Sequence, residues 1–171
     1  MKETTAKKKF MWNMAGSLCN SLSSMLLLII VNRISGESRG GFFALAYSTA
    51  QLLFSVGGFE IRPVQSTDIK NKFTFNQYFT SRMLNCIIML ICMIGYIVVN
   101  GYTGAEALTV FWILGYRMVE AVADVYSGLF QQRERIDISG KEMLMRSGIS
   151  TITFTIILWL TDNLLYAAIT L

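Results

Sequence analysis

The sequence predicts an all-α membrane protein, an antiparallel bundle of transmembrane helices. Only 15% of its 171 residues are charged and 53% are hydrophobic, whereas soluble domains carry about 25% charged residues. The apolar residues are grouped in runs of about twenty, which is the length that a helix needs to cross the hydrocarbon core of a bilayer. Because short polar breaks separate these runs, we expect the chain to cross a membrane several times.

Five of the runs are long enough to span the bilayer, and a sixth is not. The predicted helices cover residues 10–31, 40–61, 77–99, 106–130, 142–160 and 163–171. The sixth would rise only about 14 Å, less than half of the roughly 30 Å hydrocarbon core. We expect residues 1–171 to form a single transmembrane domain with a truncated sixth helix, and we interpret the chain as a fragment from the N-terminal part of a longer protein.

Basic residues mark one end of the predicted helices. They precede the first helix and flank the breaks after the second and fourth helices, whereas the breaks at 100–105 and 161–163 contain neither Lys nor Arg. By the positive-inside rule, the N-terminus and the basic breaks face the cytoplasm. The long break at 62–76 is predicted to be a cytoplasmic loop with an interfacial segment near Phe73 and Phe75. The basic residues concerned are Lys2, Lys7, Lys8, Lys9, Arg62, Lys70, Lys72, Arg82, Arg133, Arg135, Lys141 and Arg146.

The residues that carry most enzyme chemistry are missing. The chain has no histidine, which removes the commonest acid–base catalyst and metal ligand. Cys19, Cys86 and Cys92 lie inside apolar runs without a C-x-x-C spacing, so we interpret them as packing residues. No phosphate-binding glycine loop or dinucleotide fingerprint is present. We expect neither an enzyme nor a metal or cofactor site, and no nucleic-acid partner, because topology already explains the basic residues.

The fourth predicted helix breaks the hydrophobic pattern. Arg117, Glu120 and Asp124 lie within about 60° of one another on a helix with 100° per residue, and Gln131 lies near the same face. A charge at the centre of a membrane helix costs about 2.5–3.5 kcal/mol, whereas each large aliphatic residue returns only about 0.3–0.6 kcal/mol. The charged stripe must therefore face other helices or a water-filled cavity.

Two interpretations of this stripe stay open. Arg117 could pair with Glu120 or Asp124 and lock the bundle together, or the stripe could line a translocation path and bind substrate or a coupling Na⁺ or proton. The first two helices favour a path, because each has a polar face, although such faces also serve as helix–helix packing. These faces comprise Asn13, Ser17, Asn20, Ser21 and Ser24 on the first helix, and Gly41, Ala44, Ser48, Gln51, Ser55, Gly58 and Arg62 on the second.

Three segments resemble a known family. In that family, the first helical hairpin contains an Arg followed by glycines. In this chain, the matching residues are Arg33, Gly36 and Gly40 or Gly41. Two further segments resemble the family's cytoplasmic connection and its fourth-helix signature. They are, in this order, "GGFEIRPVQSTDIKNKFTFNQYFTSRML" and "YRMVEAVADVYSGLFQQRERIDISGKEMLMRSG". The family is that of the bacterial polysaccharide flippases, within the multidrug/oligosaccharidyl-lipid/polysaccharide exporter superfamily. The matching positions in the two segments are Arg62, Gln65, Asp68, Tyr78, Arg82, Glu120, Asp124, Gly128, Gln131 and Arg135.

The resemblance implies a carrier in the bacterial cytoplasmic (inner) membrane that flips a polyprenyl-diphosphate-linked oligosaccharide for O-antigen or lipopolysaccharide biosynthesis. Family members have two lobes and about twelve or more helices, so this chain corresponds to most of the N-terminal lobe. Arginines would grip the diphosphate, with Arg117 inside the bilayer and Arg33, Arg62 and Arg82 at the gates. Asn13, Asn20, Ser48 and Gln51 would contact sugars. The partners would be the lipid-linked oligosaccharide, the bilayer, and the polysaccharide polymerase and glycosyltransferases.

Other functions use the same features. A cation-coupled multidrug exporter of the same superfamily would use Glu120 and Asp124 as buried acids. A non-transporting scaffold subunit of a glycan-assembly complex would need only the helices. An intramembrane glycosyltransferase would need an outward-facing carboxylate pair, and the break at 161–163 offers Asp162 alone.

Overall fold

The computed structural model describes residues 6–59, 61–68 and 72–171, and within these ranges every regular element is an α-helix. The predicted all-α class is therefore confirmed for the described chain. Lys2 and Lys70, which contributed to the predicted orientation, lie outside it. The helices are α1 (Ala6–Gly58), α2 (Ile61–Thr67), α3 (Phe75–Val99), α4 (Gly104–Gln132), α5 (Ile136–Thr161) and α6 (Leu164–Ile169).

Three helices, α1, α3 and α5, are long and apolar enough to cross a membrane. Many of their large apolar side chains point outward, with Val99 85%, Trp159 73% and Leu52 70% exposed. Exposure on this scale would promote aggregation in water but suits helices that face lipid. These features indicate a membrane protein. The helix α4 has comparable length, 29 residues, and differs by the charges that it carries.

A sharp bend at Gly36 divides α1 into arms 6–35 and 37–58. Gly36 has φ 83° and ψ 172°, a conformation that favours glycine because a Cβ atom would clash there. Residues eight apart in a straight helix are separated by about 12 Å, yet a Cβ atom on Gly40 would lie 1.7 Å from Asn32 Oδ1. The two arms therefore lie against each other beside the bend. The sequence predicted a non-helical break at 32–39, whereas only Gly36 has non-helical backbone angles.

The other helix boundaries also differ from the expected ones. The predicted loop at 62–76 contains α2, a seven-residue helix, while Phe73 lies in a non-helical link and Phe75 is the first residue of α3. The expected interfacial segment near Phe73 and Phe75 stays a prediction. The helix α5 begins at Ile136, six residues before the predicted start at 142.

The link between α2 and α3 is held by Asp68. Its Oδ1 accepts a hydrogen bond from the Lys72 amide at 2.9 Å, and its Oδ2 accepts from the Phe73 amide and the Tyr78 hydroxyl, both at 3.0 Å. The Asp68 carbonyl accepts from Gln132 Nε2 at 2.7 Å, which ties the link to α4. The amides of Phe73 and Lys72 hold the pKa of the Asp68 carboxyl below its ordinary value.

The apolar core lies among α1, α3, α4, α5 and α6. Phe43 is fully buried in it, with its ring centroid 5.5 Å from those of Tyr47 and Phe154. The helices α1 and α5 approach each other closely, since a Cβ atom on Gly140 would lie 2.3 Å from the Trp12 carbonyl oxygen. Glycine at this position lets two backbones touch, as small residues do between membrane helices.

Replacing Gly140 by alanine is expected to lower the free energy of unfolding by about 1–3 kcal/mol, because the added methyl group overlaps the α1 backbone. Gly148→Ala is the matched control, since a Cβ atom on Gly148 of the same helix meets nothing within 4 Å. Denaturant unfolding of the purified chain in detergent measures both variants. Equal stability of the two would contradict the close contact between α1 and α5.

Candidate functional site

The charged stripe of α4 borders a cavity of about 370 Å³. Arg117 and Glu120 are buried and Asp124 is half-buried, so none of the three projects fully to the outside of the helices. We name this space the charged cavity. Its charged lining consists of Arg62, Arg117, Glu120, Asp124, Glu142 and Arg146, and its polar lining includes Asn20, Ser21, Ser24, Gln51 and Ser127.

Asp124 is held by two arginines from two other helices. Arg62 Nη1 of α2 donates to Asp124 Oδ1 at 2.9 Å, and Arg82 Nη2 of α3 donates to Asp124 Oδ2 at 2.9 Å. Arg82 Nη1 also donates to the Gly57 carbonyl of α1 at 2.7 Å. Both oxygens of the carboxylate are therefore paired, and α1, α2, α3 and α4 are joined at one point.

Glu120 is held in the same way one helical turn earlier. Its Oε2 accepts from Arg117 Nη1 of the same helix, and its Oε1 accepts from Arg146 Nη1 of α5. Arg146 Nε donates in addition to Glu142 Oε1 at 2.7 Å. The Arg117 guanidinium carbon lies 4.6 Å from the centroid of the Tyr47 ring, which adds a cation–π contact.

The two carboxylates share one pattern: each has one buried arginine and one accessible arginine. The buried members are Arg82 and Arg117, whose side chains are 0% and 6% exposed. The accessible members are Arg62 and Arg146, at 26% and 21%. If Asp124 or Glu120 releases its accessible arginine, the buried arginine still neutralises it. The accessible guanidinium groups can therefore exchange partners without leaving an unpaired buried acid.

This arrangement is better suited to an anion than to a cation. All four oxygens of Glu120 and Asp124 already accept from guanidinium groups, so a cation would have to displace an arginine. Four arginines meet three carboxylates in the network, counting Glu142, which leaves one net positive charge beside the cavity. Guanidinium groups bind carboxylate and phosphate oxygens in the same bidentate geometry.

The structure brings together most, but not all, of the residues expected to form a substrate path. Asn20, Gln51, Arg62, Arg117, Glu120 and Asp124 line the charged cavity, and Arg82 joins it through Asp124. The remaining expected residues, Asn13, Arg33, Ser48 and Gln131, do not line it.

Each of these four lies elsewhere for a visible reason. Arg33 is exposed beside the bend of α1, and Gln131 is exposed at the end of α4. The Ser48 hydroxyl donates to the Leu45 carbonyl of its own helix at 3.0 Å. Asn13 lies at the close contact between α1 and α5, where its Cα would be 2.5 Å from a Cβ atom on Gly140.

Sequence reasoning missed two members of the site, Glu142 and Arg146. Arg146 was assigned to the basic residues that flank a loop, because the fifth helix was expected to begin at 142. Since α5 begins at Ile136, Arg146 lies almost three turns inside the helix. The spacing of Glu142 and Arg146, four residues apart with opposite charge, is the signal that could have placed them on one helix face.

No protein-family model, no curated protein and no solved structure matches this chain. The interpretation of the charged cavity therefore rests on its own geometry and chemistry.

Replacing Arg82 by glutamine is expected to lower the free energy of unfolding by about 1–3 kcal/mol, because Asp124 Oδ2 and the Gly57 carbonyl lose their donor while Arg62 still pairs with Asp124. Arg39→Gln is the control, since the Arg39–Asp162 pair is more than half exposed and such pairs contribute about 0–1 kcal/mol. Denaturant titration in detergent compares the two losses. A loss for Arg82→Gln no larger than that for Arg39→Gln would show that the Asp124 pairing does not hold the helices together.

Proposed function

We propose that the chain forms most of the N-terminal lobe of a polysaccharide flippase in the bacterial cytoplasmic membrane, with its N-terminus in the cytoplasm. In this proposal, both arms of α1 together with α3, α4 and α5 cross the bilayer as an antiparallel bundle. The carrier moves a polyprenyl-diphosphate-linked oligosaccharide to the outer leaflet by alternating access between two lobes. The observation that carries the proposal is the charged cavity, in which two carboxylates are each held by a buried and an accessible arginine.

The cost of these charges supports a functional interpretation. Replacing a buried ion pair by well-packed apolar residues is often neutral or stabilising by about 1–4 kcal/mol. The stability of the bundle alone therefore does not require seven charged side chains at one place, namely Arg82 and the six charged residues that line the cavity. Ionisable residues inside membrane helices usually mark a substrate or ion path. An arginine-rich cavity suits the diphosphate of a lipid-linked sugar.

The neutral lining of the charged cavity suits the sugar. Asn20, Ser21, Ser24 and Gln51 lie on the two arms of α1 and line the charged cavity. Amide and hydroxyl groups both donate and accept hydrogen bonds, as sugar hydroxyls do. The diphosphate and the first sugars of the substrate would thus contact different side chains of one cavity.

The same geometry weighs against a cation-coupled multidrug exporter. Such a pump needs carboxylates that are free to bind a cation, whereas Glu120 and Asp124 are saturated by arginines. A scaffold subunit of a glycan-assembly complex gives no reason for a water-accessible cavity. The flippase would work beside the polysaccharide polymerase and glycosyltransferases that use the same lipid-linked intermediate.

Deleting the gene from the bacterium that carries it is expected to deplete surface polysaccharide and to accumulate its lipid-linked precursor, and the full-length gene is expected to restore both. An Arg146→Gln allele should restore less than about a tenth of the polysaccharide, because it removes an accessible guanidinium that is to bind phosphate. An Arg39→Gln allele, which changes an exposed pair far from the cavity, should restore the full amount.

Membrane levels of each protein, measured by immunoblot, separate lost transport from lost protein. Unchanged surface polysaccharide in the deletion strain, together with sensitivity to cationic drugs, would contradict the flippase and favour the multidrug exporter.

A further inference from the structure

The arm 6–35 of α1 presents one continuous apolar face to its surroundings. Large apolar side chains recur along it at intervals of three or four residues, and each is about half exposed or more. This spacing places them on one side of the helix. Exposed apolar side chains on this scale suit contact with lipid, so this side of the arm faces the bilayer. The side chains are Met11, Met14, Leu18, Leu22 and Met25.

Three consecutive lysines, Lys7, Lys8 and Lys9, lie at one end of this apolar face. Lys7 precedes Met11 by four residues and therefore lies on the same side of the helix. No acidic residue occurs between Ala6 and Gly36, so the arm offers these lysines no carboxylate. A lipid-facing helix that ends in several positive charges places those charges at the level of the lipid headgroups.

A fourth lysine reaches the same end from α5. Lys141 Nζ lies 5.3 Å from the centroid of the Trp12 ring, and Lys8 and Lys9 precede Trp12 by one helical turn. The close backbone contact at Gly140, the residue before Lys141, fixes the place where α5 meets Trp12. Ammonium groups from two helices therefore come together near one indole ring. We name Lys7, Lys8, Lys9 and Lys141 the lysine cluster.

The lysine cluster has no acidic partner among the residues that the structure describes. Every salt bridge of these residues is formed by an arginine. The acid nearest in sequence before Lys141, Asp137, is already paired with Arg135. Positive charges gathered without acids of the protein's own attract an anion from the surroundings. Orientation of the helices would require only the charges, and gives no reason for their meeting at Trp12.

We propose that the lysine cluster binds the headgroup of an anionic phospholipid of the surrounding bilayer. The phosphate lies between the lysines of α1 and Lys141 of α5, Trp12 lies at headgroup level, and the acyl chains follow the apolar face of α1. In the orientation proposed above, this is the cytoplasmic leaflet. None of the four lysines lines the charged cavity. The site is therefore separate from the substrate path, and the proposal holds whatever the chain transports.

The neighbourhood of the lysine cluster favours a lipid over a free anion. The apolar face that begins beside Lys7 provides contacts for acyl chains, which a free phosphate lacks. Lysine binds phosphate as a point charge, without the fixed geometry of arginine, which suits a headgroup that moves in the plane of the bilayer. Each lysine near an anionic membrane surface strengthens the attraction about fivefold.

The experiment compares two spin-labelled lipids in contact with the full chain. The chain is reconstituted in phosphatidylcholine vesicles with a trace of labelled phosphatidylglycerol or labelled phosphatidylcholine, and electron paramagnetic resonance measures the immobilised fraction of each. The wild-type chain should prefer phosphatidylglycerol by about threefold or more. Lys141→Gln should lower this preference about twofold or more, and Lys141→Arg should retain it. Lys8→Gln, on the other helix, should repeat the loss, which separates the site from a local defect of α5.

The control variant is Lys72→Gln, which removes the same charge from a lysine that also lies near an aromatic ring, 5.5 Å from the centroid of Phe73. It should leave the preference unchanged. Equal losses for Lys72→Gln and Lys141→Gln would overturn the proposal, because the preference would then follow net charge alone. Equal immobilisation of both lipids by the wild-type chain would overturn it as well.

A competition separates the lipid headgroup from a free anion. Inorganic phosphate should reduce the preference for phosphatidylglycerol no more than sodium chloride of the same ionic strength does, because both act only by screening. If phosphate removes the preference and chloride does not, the lysine cluster binds a free anion and the assignment to a lipid is wrong.

Discussion

An ionised carboxylate that is removed from water must have a partner, and this requirement organises the contacts around α4. Glu120 and Asp124 lie one turn apart on a helix that also carries Arg117. Their partners arrive from three other elements: Arg62 from α2, Arg82 from α3 and Arg146 from α5. The bend of α1 at Gly36 and the Asp68 link between α2 and α3 matter because they bring these elements to α4. Removing a buried arginine leaves carboxylate or carbonyl oxygens without their donor, which costs about 1–3 kcal/mol.

The division of the arginines into buried and accessible members connects this stability requirement to function. A fully buried network would only lock the helices, and a fully exposed one would be screened by water and contribute little. Here the buried Arg82 and Arg117 keep the acids neutralised, so that Arg62 and Arg146 are free to change partners. The cavity beside them supplies the room for such an exchange.

The sequence alone predicted the all-α class and the charged stripe for physical reasons that are local. Runs of about twenty apolar residues and charges repeated at helical spacing within them are both visible in the order of residues. The helix α2 was missed because seven residues with a proline and several polar side chains carry no clear periodicity. Arg146 was missed because the first turns of α5 are polar and resemble a loop.

The pairing of the charges could not be predicted from the sequence, because it depends on contacts between distant parts of the chain. Arg82 and Asp124 are 42 residues apart, and nothing in their local patterns indicates that they meet. Which arginine is buried depends on how α1, α3 and α4 pack, and Arg82 also binds the Gly57 carbonyl of α1. Arg117, the expected main phosphate ligand, is paired with Glu120 and only 6% exposed, whereas Arg62 and Arg146 are 26% and 21% exposed.

The most direct test of the account is the reactivity of single cysteines on α4 in membranes. In a background in which Cys19, Cys86 and Cys92 are replaced by alanine, Ala123→Cys lines the charged cavity. Val119→Cys lies one turn earlier on α4, at a position that is 64% exposed and is not part of the cavity lining. A charged, water-soluble maleimide should label the cysteine at 123 rapidly and the cysteine at 119 slowly, because thiolates form only where water is present. Rapid labelling at 119 with none at 123 would place the charged stripe away from water and contradict the account.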